Sequence, residues 1–220
     1  MKFLVALVVL FGLAAANDVN SCHSTLVGAC KATSKDDSIE CNALMGGFSG
    51  VQQELQAYVN TQLAASYNYL LLGAHFNTYQ KNRPGFHKLF QGLSDKAWDK
   101  AVELIKHITK RGGKANFNRK HENPSTITFP ANKLEVDEMY ALAMALDTEK
   151  KLAGVAHHIH QRSAHHHDPE ITQFIEEEFL EYQADTIRKV SGYANDMSKL
   201  IKISNPSLNV HLFDEYLAKQ

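Results

Sequence analysis

Lys96 and Lys100 lie one helical turn apart beside the apolar face of a helical segment, SDKAWDKAVELIKHITKRGG (94–113). Helical bundles that hold two metal ions place carboxylates and a histidine at such positions, in a Glu-x-x-His pattern. In this segment the pattern is occupied by Ala97 and Lys100. A charged ammonium has no lone pair, so it can replace a cation electrostatically but cannot bind one. The segment therefore predicts a helix that carries no metal ligands.

A few polar residues interrupt the apolar faces of the other helical segments. Glu149 falls in register with Leu142 and Leu146, and an unpaired carboxylate there would cost several kcal/mol or become protonated. Lys96 or Lys100 is its expected partner. Three further polar residues share such faces and are expected to meet Glu149 in the middle of a bundle: Gln62, Tyr69 and Gln183.

Apolar periodicity predicts four long helices and no strand. The first carries its apolar residues at Val51, Leu55, Val59, Leu63 and Leu70. Pro84 suits the first position of the second helix, and Asp168 followed by Pro169 suits the N-terminus of the fourth. The predicted ranges are 49–77, 84–111, 133–160 and 169–200.

The connections between these helices indicate the topology. The first and third connections are short and predict antiparallel neighbours, whereas residues 114–132 have no helical period and predict a long crossover loop. The segment LNVHLFDEYL (208–217) predicts a short fifth helix. The fold class is therefore all-α, a ferritin-like four-helix bundle with one long crossover and a short C-terminal helix.

Length and composition fit one sizeable domain behind a leader. The chain has 220 residues and a formal net charge of −1, without a dense Lys/Arg block, so nucleic acid is not an expected partner. Residues 1–16 read as a secretory signal peptide, with a buried N-terminal helix as the alternative. Residues 17–48 form a Cys-containing extension, and residues 49–220 form the bundle.

All three cysteines follow the predicted cleavage point: Cys22, Cys30 and Cys41. Three thiols in an oxidising compartment cannot all pair within one chain. The simplest arrangement is one internal disulfide and one bond to another subunit, and a zinc knuckle with His23 is the alternative. The residue left over is not indicated by the sequence.

Five segments resemble the ferritin subunit in their order and spacing: QLAASYNYLLLGAHF, KHITKRGGK, ALDTEKKL, FIEEEFLEYQ and LNVHLFDEYL. The resemblance covers about residues 49–217. Together with the leader and the N-terminal cysteines, it is closest in kind to the light-chain-like subunit of secreted insect ferritins.

The resemblance implies what has happened to the ferroxidase ligands of catalytic heavy chains. By position, the first-helix Glu is Gln62, and the neighbouring Tyr is kept as Tyr69. On the second helix, the bridging Glu is Ala97 and the His is Lys100. The remaining two positions keep Glu149 and Gln183. This set implies a subunit that is not an enzyme and has no intrinsic di-iron centre.

The resemblance also implies the partners and the cargo. A 24-subunit shell would store iron as a ferric mineral, and heavy-type subunits in the same shell would supply catalysis. The N-terminal cysteines would link the two kinds of chain. The protein would enter the secretory pathway, with export and a Golgi or vesicular location both open. No membrane partner is expected.

Two further sets of residues are candidate iron-handling sites. Asp95, Asp99 and Glu103 recur every four residues and are expected to seed mineral, unless they pair with neighbouring lysines on a solvated face. The resemblance places His160 and Glu176 in an ion channel, although Gln173 stands where a second acid is usual. The His-rich turn at 157–167 is expected to be a solvated surface turn, with zinc binding as the alternative.

Three classes of function are compatible with such a bundle. A non-catalytic iron-storage subunit fits the substituted ligands. An active di-iron ferroxidase is the alternative within the family, and it conflicts with Gln62, Ala97 and Lys100. A secreted signalling bundle is the third class, and assembly into a large shell would exclude it.

Overall fold

The computed structural model describes residues 42–116 and 138–220. The predicted signal peptide, the three cysteines and most of the predicted crossover loop lie outside these residues and stay predictions. A 3-10 turn (Phe48–Gly50) precedes seven elements in the order α1, α2, α3, α4, a π-helical turn, α5 and α6. The helices are α1 (Gln52–Phe76), α2 (Pro84–Lys110), α3 (Glu138–His165), α4 (Pro169–Ile175), α5 (Glu181–Leu200) and α6 (Pro206–Ala218). The π-helical turn is Glu176–Leu180. Leu44–Gln220 forms one compact unit.

The long helices form a four-helix bundle, with α4, the π turn and α5 together making the fourth helix. α1 packs along α2, and α3 packs along α5. Arg83 Nε lies 3.0 Å from Glu138 Oε1, which joins the N-terminal ends of α2 and α3. Arg83 directly precedes α2 and Glu138 opens α3, so both helices begin at the same end of the bundle. The all-α bundle prediction is confirmed, and the described residues contain no strand.

The predicted starts of the second and fourth helices are confirmed. Pro84 and Pro169 lie at the N-termini of α2 and α4. The Asp168 side chain caps α4 by accepting a hydrogen bond from the Ile171 backbone N–H at 3.2 Å. The predicted end of the third helix at residue 160 is wrong, because α3 continues to His165.

The apolar stripe of α1 agrees with the prediction only over its first part. Val51, Leu55 and Val59 are fully buried, whereas Leu70 is 45% exposed. A spacing of four residues drifts around a helix that has 3.6 residues per turn, so the core face has moved on by the helix end. Tyr69, Leu72 and Phe76 line the core there instead.

The C-terminal helix docks on the first turn of α2. Asp214 is fully buried and its Oδ1 accepts a hydrogen bond from the Phe86 backbone N–H at 3.0 Å. A Cβ on Gly85 would lie 1.9 Å from the Asp214 carbonyl oxygen, so this close approach requires glycine. Leu217 is buried in the contact, but Leu208 and Leu212 on the same helix are more than half exposed.

Candidate functional site

The centre of the bundle contains a buried carboxyl group that two neutral donors hold. Glu149 on α3 is only 2% exposed. The Tyr69 hydroxyl donates to its Oε1 at 2.6 Å. The hydrogen-bond network orients the Gln183 amide so that its nitrogen donates to Glu149 Oε2 at 2.8 Å. The sequence prediction that these three residues meet is therefore confirmed.

The prediction that a lysine pairs with Glu149 is wrong. Lys100 Nζ instead contacts Glu103 Oε2 at 2.7 Å and Glu178 Oε2 at 3.1 Å. Lys96 is exposed on the surface of α2. A phenol and an amide can satisfy the hydrogen bonds of a carboxyl group without any cation. The prediction of a lysine partner considered only charged groups.

The π-helical turn supplies the second acid of the lysine pair. A π turn carries one extra residue per hydrogen-bonded ring, and such turns are common at functional sites. Here it holds Glu178 at the side of α2 while Phe179 stays in the core. The Lys100 ammonium also lies 5.3 Å from the centre of the Phe179 ring and 5.8 Å from that of Tyr182. Lys100 is therefore held by two acids and two aromatic rings.

Burial shifts the pKa values of the titratable groups at the centre. Burial raises the pKa of Glu149, and the hydrogen bonds from Tyr69 and Gln183 oppose that rise only in part. Burial, followed by the charge of Glu149, raises the pKa of Tyr69 well above its ordinary value. Burial also raises the pKa of Tyr182 to about 12. The phenols therefore remain proton donors over the physiological range.

The two remaining centre positions carry no charge. Gln62 is 1% exposed and lies one turn from Tyr58, and Ala97 is 6% exposed on the facing side of α2. Hard cations such as iron are held by several carboxylate oxygens together with imidazole. Across 42–116 and 138–220, no three His, Cys, Asp or Glu side chains lie close enough to hold one ion.

The acidic residues of α2 differ in their partners. Asp95 and Asp99 are exposed, and Asp95 Oδ1 accepts a hydrogen bond from Gln91 Nε2 at 2.8 Å. Glu103 is the residue that pairs with Lys100. The pairing alternative thus describes Glu103, while the two aspartates present exposed carboxylates.

The candidate channel residues lie near each other on α3 and the π turn. His160 Nε2 is 3.6 Å from Glu176 Oε2. The Gln173 amide donates to Glu177 Oε1 at 2.8 Å, so Gln173 tethers an acid instead of supplying one. In the His-rich turn, the ring centres of His165 and His166 are 5.4 Å apart in an edge-on arrangement.

A buried ionic cluster, which the sequence analysis missed, joins the end of α2 to the start of α4. The Arg111 guanidinium donates to both carboxylate oxygens of Asp168, at 3.1 and 2.8 Å, and both side chains are almost fully buried. Arg111 also donates to Glu170 and to the Met45 carbonyl oxygen, the latter at 2.9 Å. The guanidinium therefore fixes the segment that leads into α1.

Electrostatics in this cluster follow from the guanidinium. Burial alone would raise the pKa of Asp168, but the hydrogen bonds from Arg111 hold it below its usual range. The pKa of Glu170 is lowered in the same way. Burial lowers the pKa of His107, whose ring stacks 3.7 Å from that of Phe174. The opposite charges of Arg111 and Asp168 are the only sign of this pair in the sequence.

The fold and the carboxyl group at its centre define a ferritin-like helical bundle, and comparisons with known proteins agree. A family model described as "Ferritin-like domain" matches residues 52–200. The chain is 49% identical to a ferritin light chain of Drosophila melanogaster over the full length of both chains. It is 43% identical to a ferritin light chain of Trichoplusia ni, covering 100% of this chain and 99% of that one.

A solved structure supports the same assignment. The crystal structure of Trichoplusia ni secreted ferritin matches with a TM-score of 0.82 and 43% sequence identity, covering 91% of this chain and 99% of that chain. The chain belongs to the ferritin family, whose members store iron.

Proposed function

We propose that this chain is a non-catalytic iron-storage subunit of a 24-subunit ferritin shell, without a ferroxidase site of its own. In this role it contributes to the shell and to mineral formation, and heavy-type subunits of the same shell oxidise ferrous iron. The proposal deepens the family assignment, and its main support comes from the side chains at the bundle centre.

One observation carries the proposal: an ammonium group stands where the family places a histidine ligand. Lys100 is engaged by Glu103 and Glu178, so the two nearest carboxylates already have a cation. Glu149 is engaged by Tyr69 and Gln183. Gln62 and Ala97 add no charge. The donor set therefore does not fit a di-iron centre, because one buried carboxyl group cannot balance the charge of two iron ions.

The relatives support the proposed location. A relative of similar length is a secreted ferritin, and its light chain aligns with this chain from end to end. We infer that this chain likewise enters the secretory pathway and is exported or kept in a Golgi or vesicular compartment. Cys22, Cys30 and Cys41 lie in the predicted extension and would supply disulfide links to heavy-type subunits.

The exposed surface of α2 supports a role in mineral formation. Asp95 and Asp99 offer carboxylate oxygens that hard ferric ions prefer. Neutralising Asp95, Asp99 and Glu103 to Asn, Asn and Gln should slow core growth about twofold or more in an assembled mixed shell, as followed by light absorption of the ferric mineral. Asp147→Asn, which neutralises one exposed acid on α3, is the control. Unchanged growth in the triple variant would contradict this role.

The candidate channel residues bear on how this chain would admit ions. His160 and Glu176 lie together, and Gln173 replaces the usual second acid. We infer that this chain contributes a weaker cation path than a heavy-type subunit does.

Ferrous oxidation tests the proposal. The mature chain alone should oxidise ferrous iron at a rate close to that of a protein-free blank in stopped-flow absorbance, and a shell that also contains heavy-type subunits should oxidise it rapidly. Rapid, saturable oxidation by the chain alone would favour the alternative, an active di-iron ferroxidase subunit. Light scattering of the same sample separates both from a signalling bundle, which would be a monomer or dimer.

A further inference from the structure

A groove of about 300 Å³ lies between α2, α5 and the C-terminal helix α6, away from the bundle centre. This volume is at the low end of the range of small-molecule pockets, which is about 300–1,000 Å³. Its floor is apolar and comes from all three helices, through Leu89, Leu93, Val190, Tyr193 and Leu217. The groove could hold one medium-length alkyl chain and is too small for a two-chain lipid.

A glycine keeps part of this floor open. Gly92 lines the groove, and a Cβ added there would have no heavy atom within 4 Å. The residue is in the middle of α2, where glycine costs about 1 kcal/mol relative to alanine. The open space beside the Gly92 backbone is thus available to a ligand in the groove.

The rim of the groove is positively charged. Lys88, Lys96 and Lys189 line it, and no Asp or Glu side chain of the described residues does. Lys88 Nζ is engaged by the Ala218 carbonyl oxygen at 3.0 Å. Lys96 and Lys189 form no salt bridge with any described residue, and Lys189 Nζ lies 5.9 Å from the Tyr193 ring centre. The Thr186 hydroxyl adds a neutral donor beside them.

We propose that this groove binds a medium-chain fatty carboxylate. The carboxylate is held by Lys96 and Lys189, and the alkyl chain lies on the floor beside Gly92. Charge complementarity selects an anion, because the rim carries only lysine charges from its side chains. The apolar floor selects an alkyl tail, since a free inorganic anion would leave it in contact with water. The site is independent of the iron chemistry proposed above.

Isothermal titration calorimetry of the assembled protein with laurate tests the proposal. We expect saturable binding with one laurate per subunit. Gly92→Leu adds an apolar side chain beside the floor, at a position where a Cβ has no heavy atom within 4 Å, and should weaken laurate binding at least tenfold. Lys96→Glu with Lys189→Glu should weaken it at least tenfold as well. Inorganic phosphate should bind at least tenfold more weakly than laurate to the unchanged protein.

Matched controls separate the groove from general effects. Gly154→Leu also adds a side chain where a Cβ has no neighbour within 4 Å, and Lys106→Glu reverses an exposed lysine on the same helix outside the groove. Neither control should change laurate affinity more than twofold. The proposal is overturned if laurate does not bind, if Gly92→Leu binds it as tightly as the unchanged protein, or if phosphate binds equally well. Anionic phospholipid vesicles that bind in place of free laurate would also overturn it.

Discussion

Two buried carboxyl groups of this bundle are stabilised in opposite ways. Asp168, at the start of α4, accepts two hydrogen bonds from the Arg111 guanidinium, and its pKa is lowered. Glu149, in the middle of α3, accepts hydrogen bonds from a phenol and an amide, and burial raises its pKa. Each side chain is 2% exposed, and the partners differ: a guanidinium for Asp168 and two neutral donors for Glu149.

The comparison shows two ways to satisfy a buried carboxyl group in a helical bundle. An ionised carboxylate in the interior needs a cation, whereas a carboxyl group that can take up a proton needs only hydrogen-bond partners. The end of the bundle uses the first solution, which fixes three chain segments at one guanidinium. The centre uses the second, and its one nearby cation, Lys100, is directed to acids on the surface side.

The largest expected effect comes from removing the cation of the first region. Arg111→Ala leaves Asp168 buried without its partner and should lower the free energy of unfolding by about 3–5 kcal/mol. Urea unfolding followed by circular dichroism at a fixed subunit concentration measures this change. Lys110→Ala, next to it but 68% exposed, is the control and should cost less than about 1 kcal/mol. Equal effects of the two variants would show that the buried pair is not special.

A smaller loss is expected from removing a neutral donor in the second region. Tyr69→Phe takes one hydrogen bond from Glu149 and should lower the free energy of unfolding by about 1–3 kcal/mol. The matched control is Tyr67→Phe on the same helix, because Tyr67 is 62% exposed and should change stability by less than about 0.5 kcal/mol. If Tyr69→Phe were as costly as Arg111→Ala, the distinction between the two regions would fail.

The smallest effects are in the pH dependence of stability, and they have opposite signs in the two regions. Glu149 has a raised pKa, so its contribution is present below the ordinary value of 4.5 and is lost as pH rises through the raised pKa. Asp168 has a lowered pKa, so its contribution is present above the ordinary value of 3.8 and is lost as pH falls through the lowered pKa.

Unfolding at a series of pH values measures these signs. The stability of the unchanged protein relative to Glu149→Gln should decrease as pH rises above about 4.5. Its stability relative to Asp168→Asn should decrease as pH falls below about 3.8. A difference of the same sign for both variants would refute the opposite pKa shifts of Glu149 and Asp168.

The sequence predicts the elements of this fold better than the partners of its polar residues. Pro84, Asp168 and Pro169 predict the helix starts because each acts through its own local geometry. The meeting of Tyr69, Glu149 and Gln183 is also predictable, because a polar residue in an apolar stripe must find another one.

The pairing of charges was harder to predict, since it depends on directions that no periodicity records. Glu178 contacts Lys100 from the π turn, and Arg111 contacts Asp168 where two helix ends meet. A four-residue spacing likewise misplaced Leu70, which lies far enough along α1 for the core face to have rotated away.

We attribute the proposed lack of ferroxidase activity to the residues at three ligand positions, Gln62, Ala97 and Lys100. Stopped-flow measurement of ferrous oxidation by the mature chain carrying Gln62→Glu, Ala97→Glu and Lys100→His tests it most directly. A control carrying the first two changes with Lys96→His places the imidazole on the exposed side of α2. We predict oxidation at least tenfold above the unchanged chain for the first variant and no increase for the control. Rapid oxidation by the unchanged chain, or an equal gain in the control, would contradict the account.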